Sequence, residues 1–296
     1  MKNLVRLMRP HQYIKNGFVL IGPLFSPQWD AASWGEAAFV FLAFCAMASA
    51  VYVLNDLVDI EADRQHPSKR SRPLPSGAIS IFEARLLLFV LVAISIVLSL
   101  VVNIWILLFS SSYFVLNVFY SWRLKHVVIL DVFVISAGFM LRILAGTVGL
   151  DIMPSSWLLL CGFMLTLFLG FSKRRAELLL VHNLSSLNSD QRAEKALTRK
   201  VLDDYSPIML EQFIGVTAGC TILSYGLYTV SPQTVALHGT GNLVYTLPFV
   251  AYGIFRYLFL LHQKARGSDT AKDLLSDKHL LLTCAAWLVC TVMVLS

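Results

Sequence analysis

Nine long apolar runs alternate with polar segments along the 296 residues, and this alternation most narrowly limits what the chain can fold into. Each run is long enough to cross the bilayer as a helix. Only 14% of the residues are charged, against about 25% in soluble domains, which excludes a globular domain with one anchor. We therefore predict an all-α polytopic membrane helix bundle, one domain over residues 1–296. Its spans are expected near residues 12–27, 34–55, 80–101, 103–121, 127–149, 155–172, 207–230, 242–261 and 279–295.

Basic residues lie in every second loop, beginning with the N-terminal segment. The alternate loops, near residues 26–33, 102–104, 150–156 and 231–243, contain no Lys or Arg. Because cytoplasmic loops carry the excess of Lys and Arg in membrane proteins, the N-terminus and the basic loops are predicted to face the cytoplasm. We expect a multi-pass protein of the bacterial inner (plasma) membrane, with its polar site on the cytoplasmic side.

A stripe of acidic and polar side chains follows the second predicted span. On a helix that turns 100° per residue, one arc of about 100° contains Tyr52, Asn55, Asp56, Asp59 and Asp63. Carboxylates this close repel one another unless a cation joins them, and oxygen ligands suit Mg²⁺. A solvated helix end explains one or two of these acids, but not the aligned set. We predict that Asn55, Asp59 and Asp63 ligate Mg²⁺, and that the three carboxylates of the stripe are the catalytic groups.

The segment after the stripe is basic and contains Pro67, Pro73 and Pro75. Proline restricts φ, so such a loop loses less entropy when it orders around an anion. Arg presents paired donors to a phosphate, whereas Lys acts as a compact charge. An alternative role exists for Lys15, because a Lys at a helix end also snorkels to lipid headgroups. The substrate-binding set predicted at this membrane face comprises Lys15, Tyr52, Lys69, Arg70, Arg72, Tyr120, Lys125, Lys173, Arg174 and Glu177.

A lone arginine, Arg142, lies deep within the fifth predicted span. It is about 20 Å from the cytoplasmic start of that span and shares a helical face with Asp131, Gly138 and Gly146. A charge at this depth costs at least about 2.5 kcal/mol and normally faces a polar cavity or a partner. We predict that Arg142 lines a polar pocket and binds substrate. The alternative is that its cation only holds acidic neighbours.

These residues resemble the UbiA superfamily of intramembrane prenyltransferases. The resemblance covers nearly the whole chain and rests on the nine-span layout and on the pattern Asn55-Asp56-x-x-Asp59-x-x-x-Asp63. Members with aromatic acceptors carry a second Asp-x-x-x-Asp after the sixth span, where this chain has Lys173-Arg174-Arg175-Ala176-Glu177. In this respect the chain is similar to the decaprenyl-phosphate phosphoribosyltransferase branch. It shares with that branch Arg9-Pro-x-x-x-x-Lys15-Asn16, His66-Pro67-x-Lys69-x-x-Arg72-Pro73, Tyr120-Ser121-x-x-Leu124-Lys125 with Asp131, and Gly138-x-x-x-Arg142.

The resemblance implies Mg²⁺-dependent transfer of 5-phosphoribosyl from phosphoribosyl diphosphate to a polyprenyl (decaprenyl) phosphate, with release of diphosphate, for cell wall biosynthesis. Basic residues stand after the sixth span where other members have acidic ones. This difference agrees with the reaction, because the donor and the lipid phosphate are both anions and must be held together against their repulsion. The alternative in the same fold is prenyl transfer from a prenyl diphosphate to an aromatic acceptor, which Asp203-Asp204 leaves open as a second acidic motif. A third hypothesis is a non-catalytic transporter or lipid-binding protein. No nucleic-acid-binding module is evident, and a homo-oligomer is left open.

Overall fold

The chain is almost entirely helical in the computed structural model, which describes residues 2–26, 31–65, 69–185, 202, 204–263, 267 and 270–295. Eight helices in these residues are long and apolar enough to cross a membrane. They coincide with the second to ninth predicted spans, and the described residues include no β-strand. The predicted all-α membrane bundle is confirmed.

The helices are numbered here in chain order. The α-helices are α1 (Lys2–Met8), α2 (Ile21–Leu24), α3 (Ala31–Val58), α4 (Ile60–Gln65), α5 (Ile81–Val102), α6 (Ile104–Trp122), α7 (Leu130–Gly146), α8 (Ser156–Ser185), α9 (Pro207–Val230), α10 (Pro232–His238), α11 (Leu247–Gln263), α12 (Thr270–Ser276) and α13 (Lys278–Leu295). The 3-10 helices are Pro10–Leu20, Leu124–His126, Val148–Leu150 and Asn242–Thr246. The first predicted span therefore takes the form of a long 3-10 helix continued by α2.

Helix α3 is the most enclosed of the long helices. It packs against α1, α5, α6 and the Pro10–Leu20 helix, and every residue from 43 to 51 is buried. Five of these nine residues are Ala or Ser, whose small side chains allow neighbouring helices to approach closely. The polar C-terminal end of α3 consequently lies among other helices at one end of the bundle.

Two glycines allow the first segment of the chain, residues 10–24, to lie directly on α7. A Cβ atom added at Gly146 would lie 1.8 Å from the carbonyl oxygen of Val19, and one added at Gly22 would lie 1.8 Å from that of Gly146. No side chain fits at such distances. The first segment therefore packs on the face of α7 that contains Gly138, Arg142 and Gly146.

We expect Gly146→Ala to lower the free energy of unfolding by about 1–3 kcal/mol, because the added methyl group must push two backbones apart. Gly215→Ala is the matched control, since a Cβ atom at Gly215 meets no heavy atom within 4 Å. The two variants are compared by the fraction that remains monodisperse after heating in detergent. Equal heat resistance would contradict the close packing of the two segments.

Candidate active site

The acidic stripe lies where α3 passes into α4. Asp59 forms a bend between the two helices, yet the hydrogen bonds of a continuous helix persist across it. The amide of Asp59 donates to the carbonyl of Asn55 at 2.9 Å, and the amide of Asp63 donates to the carbonyl of Asp59 at 2.8 Å. Asn55, Asp59 and Asp63 therefore lie on successive turns, as their spacing indicates.

The two buried carboxylates of the stripe are held by cations. Arg9 Nη2 donates to Asp56 Oδ1 at 2.6 Å. Arg72 Nη1 donates to Asp63 Oδ2 at 2.6 Å and reaches Asp56 Oδ1 at 3.3 Å, so one guanidinium bridges both acids. Lys69 Nζ lies 3.8 Å from Asp63 Oδ1. Because both carboxylates are only 4% exposed, their charges depend on these partners rather than on water.

The third carboxylate, that of Asp59, is accessible to solvent. Its side chain is 43% exposed, and Lys125 Nζ lies 3.4 Å from its Oδ1. One turn earlier, the side-chain oxygen of Asn55 accepts a hydrogen bond from the hydroxyl of Ser121. These two contacts connect the end of α6 and the short 3-10 helix after it to the stripe.

A cavity of about 490 Å³ opens beside the stripe. Five Arg and Lys side chains line it together with a single carboxylate, and a concave site of this charge attracts polyanions. The guanidinium of Arg9 also lies over the ring of Tyr52, 5.2 Å from its centroid. The lining residues are Arg6, Arg9, His11, Gln12, Lys15, Tyr52, Asp56, Arg72, Pro73 and Lys173.

Several predicted binding residues thus meet at one cavity, namely Lys15, Tyr52, Arg72 and Lys173. Lys69 and Lys125 contact stripe carboxylates instead, and Arg70 is exposed. The cavity also contains four residues that were not predicted as site residues and that lie before or at the start of the first predicted span, namely Arg6, Arg9, His11 and Gln12. The available signal was Arg9, which stands in the pattern shared with the phosphoribosyltransferase branch. His66 and Asp203 lie outside the described residues.

Arg174 lies in a buried network behind the cavity, next to Lys173 in the chain. Its side chain is 0% exposed, and its Nε lies 2.6 Å from Asp131 Oδ2 in a close ion pair. Its Nη1 donates to Glu177, and its Nη2 donates to the hydroxyl of Tyr120 at 3.1 Å. The hydroxyl of Tyr205 donates to Asp131 Oδ1 at 2.7 Å. Arg174, Glu177 and Tyr120, all predicted to bind substrate, therefore bind one another.

Burial and the bond to Asp131 raise the pKa of the Tyr205 phenol. The phenol accordingly stays protonated at physiological pH, as its role as a donor to Asp131 requires. It also accepts a hydrogen bond from the backbone amide of Ile129 at 2.7 Å. Tyr205 thus ties the segment before α9 to the start of α7.

Arg142 is buried against the first segment. Its Nε donates to Asn16 Oδ1 at 2.7 Å, and its Nη1 donates to the carbonyl of Gly138 at 2.8 Å. The guanidinium also lies 4.3 Å from the centroid of the Tyr113 ring. Within the described part of the chain no carboxylate pairs with it, and it is not among the residues that line the cavity. Arg142 fixes Asn16, and so the position of the neighbouring Lys15.

The stripe offers the donor types that Mg²⁺ prefers, because Asn55, Asp59 and Asp63 supply oxygen from successive turns. Among the residues described, however, no three His, Cys, Asp or Glu side chains converge on a point that could hold a metal ion. Arg and Lys occupy the carboxylates instead. Since Mg²⁺ is commonly bound through one or two carboxylates plus water and phosphate, the residues fit this ion once those cations move.

A membrane helix bundle with an acidic stripe beside a basic cavity is the arrangement expected of an intramembrane enzyme that acts on phosphorylated substrates. The profile of the UbiA prenyltransferase family matches residues 17–293. The chain belongs to this family, which confirms the resemblance found in the sequence.

Several curated relatives carry the name decaprenyl-phosphate phosphoribosyltransferase. The protein from Corynebacterium glutamicum is 33% identical, over 98% of this chain and 86% of its own length. The protein from Mycobacterium tuberculosis is 30% identical, over 96% and 91%. A solved structure of a UbiA homolog from Archaeoglobus fulgidus bound to GPP and Mg²⁺ superimposes with a TM-score of 0.71, covering 99% of both chains at 16% identity. This last likeness concerns the fold.

Proposed function

We propose that this protein transfers 5-phosphoribosyl from phosphoribosyl diphosphate to a polyprenyl phosphate such as decaprenyl phosphate. The observation that carries the proposal is the cavity with five Arg and Lys side chains and one carboxylate. Two substrates that each carry phosphate need such an excess of cations, whereas a neutral aromatic acceptor does not. The names of the relatives at 30–34% identity support the same reaction.

The reaction replaces one bond at the anomeric carbon of ribose. The bond from this carbon to the diphosphate oxygen breaks, and diphosphate leaves with the electron pair. An oxygen of the lipid phosphate forms the new bond; because this phosphate is ionised near pH 7, no strong general base is required. Arg9, Lys15, Arg72 and Lys173 hold the phosphate groups so that donor and acceptor meet despite their charges.

A divalent ion would be held by Asn55, Asp59 and Asp63. When bound, Mg²⁺ stabilises the negative charge that develops on the departing diphosphate. Solved relatives support the use of a divalent ion, since the A. fulgidus homolog is bound to GPP and Mg²⁺. The side chains themselves fix the place at which diphosphate leaves, because they extend from successive turns across the junction of α3 and α4.

We place the cavity at the cytoplasmic face of the bacterial inner membrane. The distribution of Lys and Arg along the chain supports this orientation, and phosphoribosyl diphosphate is a soluble donor. We treat residues 1–296 as one catalytic unit. A homo-oligomer stays a prediction.

A donor screen tests the proposal. Purified protein in lipid vesicles is given decaprenyl phosphate and phosphoribosyl diphosphate labelled in the ribose, with Mg²⁺ or with a chelator. We expect label in the lipid fraction with Mg²⁺, and a loss of most of it with the chelator. A parallel reaction contains a prenyl diphosphate and an aromatic acceptor. Prenyl transfer without ribose transfer would overturn the proposal in favour of the aromatic prenyltransferase.

Lys173 should contribute to binding of a phosphorylated substrate, because its side chain lines the cavity. The next residue, Arg174, is buried and does not line it. We expect Lys173→Gln to raise KM for donor or acceptor about tenfold, the effect of losing one contact between a cation and a phosphate. Lys278→Gln changes an exposed lysine at the start of α13 and serves as the control. If both variants have the wild-type KM for each substrate, Lys173 has no binding role.

A further inference from the structure

Arg72 contacts the acidic stripe from the side of the cavity. Its Nη1 contacts Asp63 Oδ2 at 2.6 Å and Asp56 Oδ1 at 3.3 Å, while its side chain remains 32% exposed and lines the cavity. The carboxylates it contacts are nearly inaccessible to water. Arg72 therefore bridges two stripe carboxylates and also lines the cavity.

This position conflicts with a metal ion on the same carboxylates. A divalent ion bound to Asp63 would lie within a few ångströms of the guanidinium, and both would be positive. Lys125 imposes the same conflict at Asp59, although at the longer distance of 3.4 Å. As long as these cations remain, the stripe is neutralised from within the protein and binds a divalent ion weakly.

A diphosphate in the cavity removes the conflict. It offers Arg72 two phosphate groups, which a guanidinium can bind in bidentate fashion, so the cation gains new partners when it leaves the acids. The carboxylates are then free for the metal ion, which also contacts the diphosphate. Binding of diphosphate therefore raises the affinity of the site for the metal ion, and binding of the metal ion raises its affinity for diphosphate.

We propose that Arg72 closes the acidic stripe to divalent cations until a diphosphate draws it away, so that metal and diphosphate bind together. The proposal rests on the proposed function only in taking a diphosphate as the donor's leaving group. By linkage, the factor by which diphosphate raises the affinity for metal equals the factor by which metal raises the affinity for diphosphate. The protein would thus discriminate against metal alone and against donor without metal.

Binding of Mn²⁺ to the purified protein, followed by electron paramagnetic resonance, tests the proposal without any transfer reaction. For the wild type we expect inorganic diphosphate to raise the affinity for Mn²⁺ at least about tenfold. For Arg72→Gln we expect Mn²⁺ alone to bind about tenfold more tightly than to the wild type, because the stripe then lacks its internal cation. The further gain from diphosphate should be smaller in this variant.

Two other variants make the outcome specific. Arg72→Lys keeps the positive charge and should leave the affinity for Mn²⁺ alone low, which separates loss of charge from altered packing. Arg64→Gln removes an exposed arginine of α4 that pairs with Glu61, and should behave as the wild type. Tight binding of Mn²⁺ to the wild type without diphosphate would overturn the proposal, and this result does not depend on whether any variant folds.

The measurement is independent of which group the protein transfers. Failure of ribose transfer with intact coupling of Mn²⁺ and diphosphate would overturn the proposed function and leave the role of Arg72 standing. Ribose transfer together with Mn²⁺ binding that diphosphate does not change would do the reverse.

Discussion

Asp59→Asn is expected to lower the rate of phosphoribosyl transfer about a thousandfold while the protein still inserts and folds. Asp59 is the solvent-accessible carboxylate of the stripe, and its replacement removes a negative charge that would hold the metal ion stabilising the departing diphosphate. Asparagine has nearly the same shape, and the side chain is 43% exposed, so little packing is lost. The loss should therefore appear in turnover rather than in stability.

Transfer of labelled ribose into lipid at saturating Mg²⁺ measures this loss. Glu61→Gln is the matched control, because it removes a carboxylate of α4 that is exposed and pairs only with Arg64 among the residues described. The control should retain the wild-type rate. Near-normal turnover of Asp59→Asn at saturating Mg²⁺ would remove the metal-binding role from this residue.

Arg174→Gln should instead lower the free energy of unfolding by about 3–5 kcal/mol. The substitution leaves Asp131, whose side chain is 0% exposed, buried without its cation. It also removes the hydrogen bonds to Glu177 and Tyr120. We expect a lower yield of folded protein and a lower unfolding temperature in detergent.

The double variant Arg174→Gln with Asp131→Asn should recover part of this stability, because the unpaired buried charge is then absent. Lys173→Gln, one residue earlier, should unfold at the wild-type temperature. If Arg174→Gln is as stable as the wild type and loses only activity, the residue binds substrate, as its position in the sequence pattern predicts.

The long helices could be predicted because the bilayer imposes their length and apolar character. The form of the first segment could not, because hydropathy does not distinguish a 3-10 helix from an α-helix. The α7 face was recognised from the spacing of Gly138, Arg142 and Gly146. Spacing shows which residues share a face but not what lies against it, and here part of the first segment packs there.

The stripe itself was predictable, because its residues are neighbours on one helix. Its partners were not, since Arg9 and Asp56 are 47 positions apart, and Lys125 and Asp59 are 66 apart. The sequence also does not show how deeply each of two adjacent side chains is buried. Lys173 and Arg174 differ by only 100° around α8, yet the first reaches the cavity and the second is fully buried.

The enclosure of α3 has a consequence for how the site can respond to its substrates. Neighbouring helices hold α3 in place where residues 43–51 are buried, and the hydrogen bonds that continue across Asp59 connect the acids that follow to this fixed helix. The rearrangement that accompanies turnover must then come from chain outside this helix, where Arg9 and Arg72 reside. During turnover the positively charged side chains would change position, while the carboxylates of the stripe would stay in place.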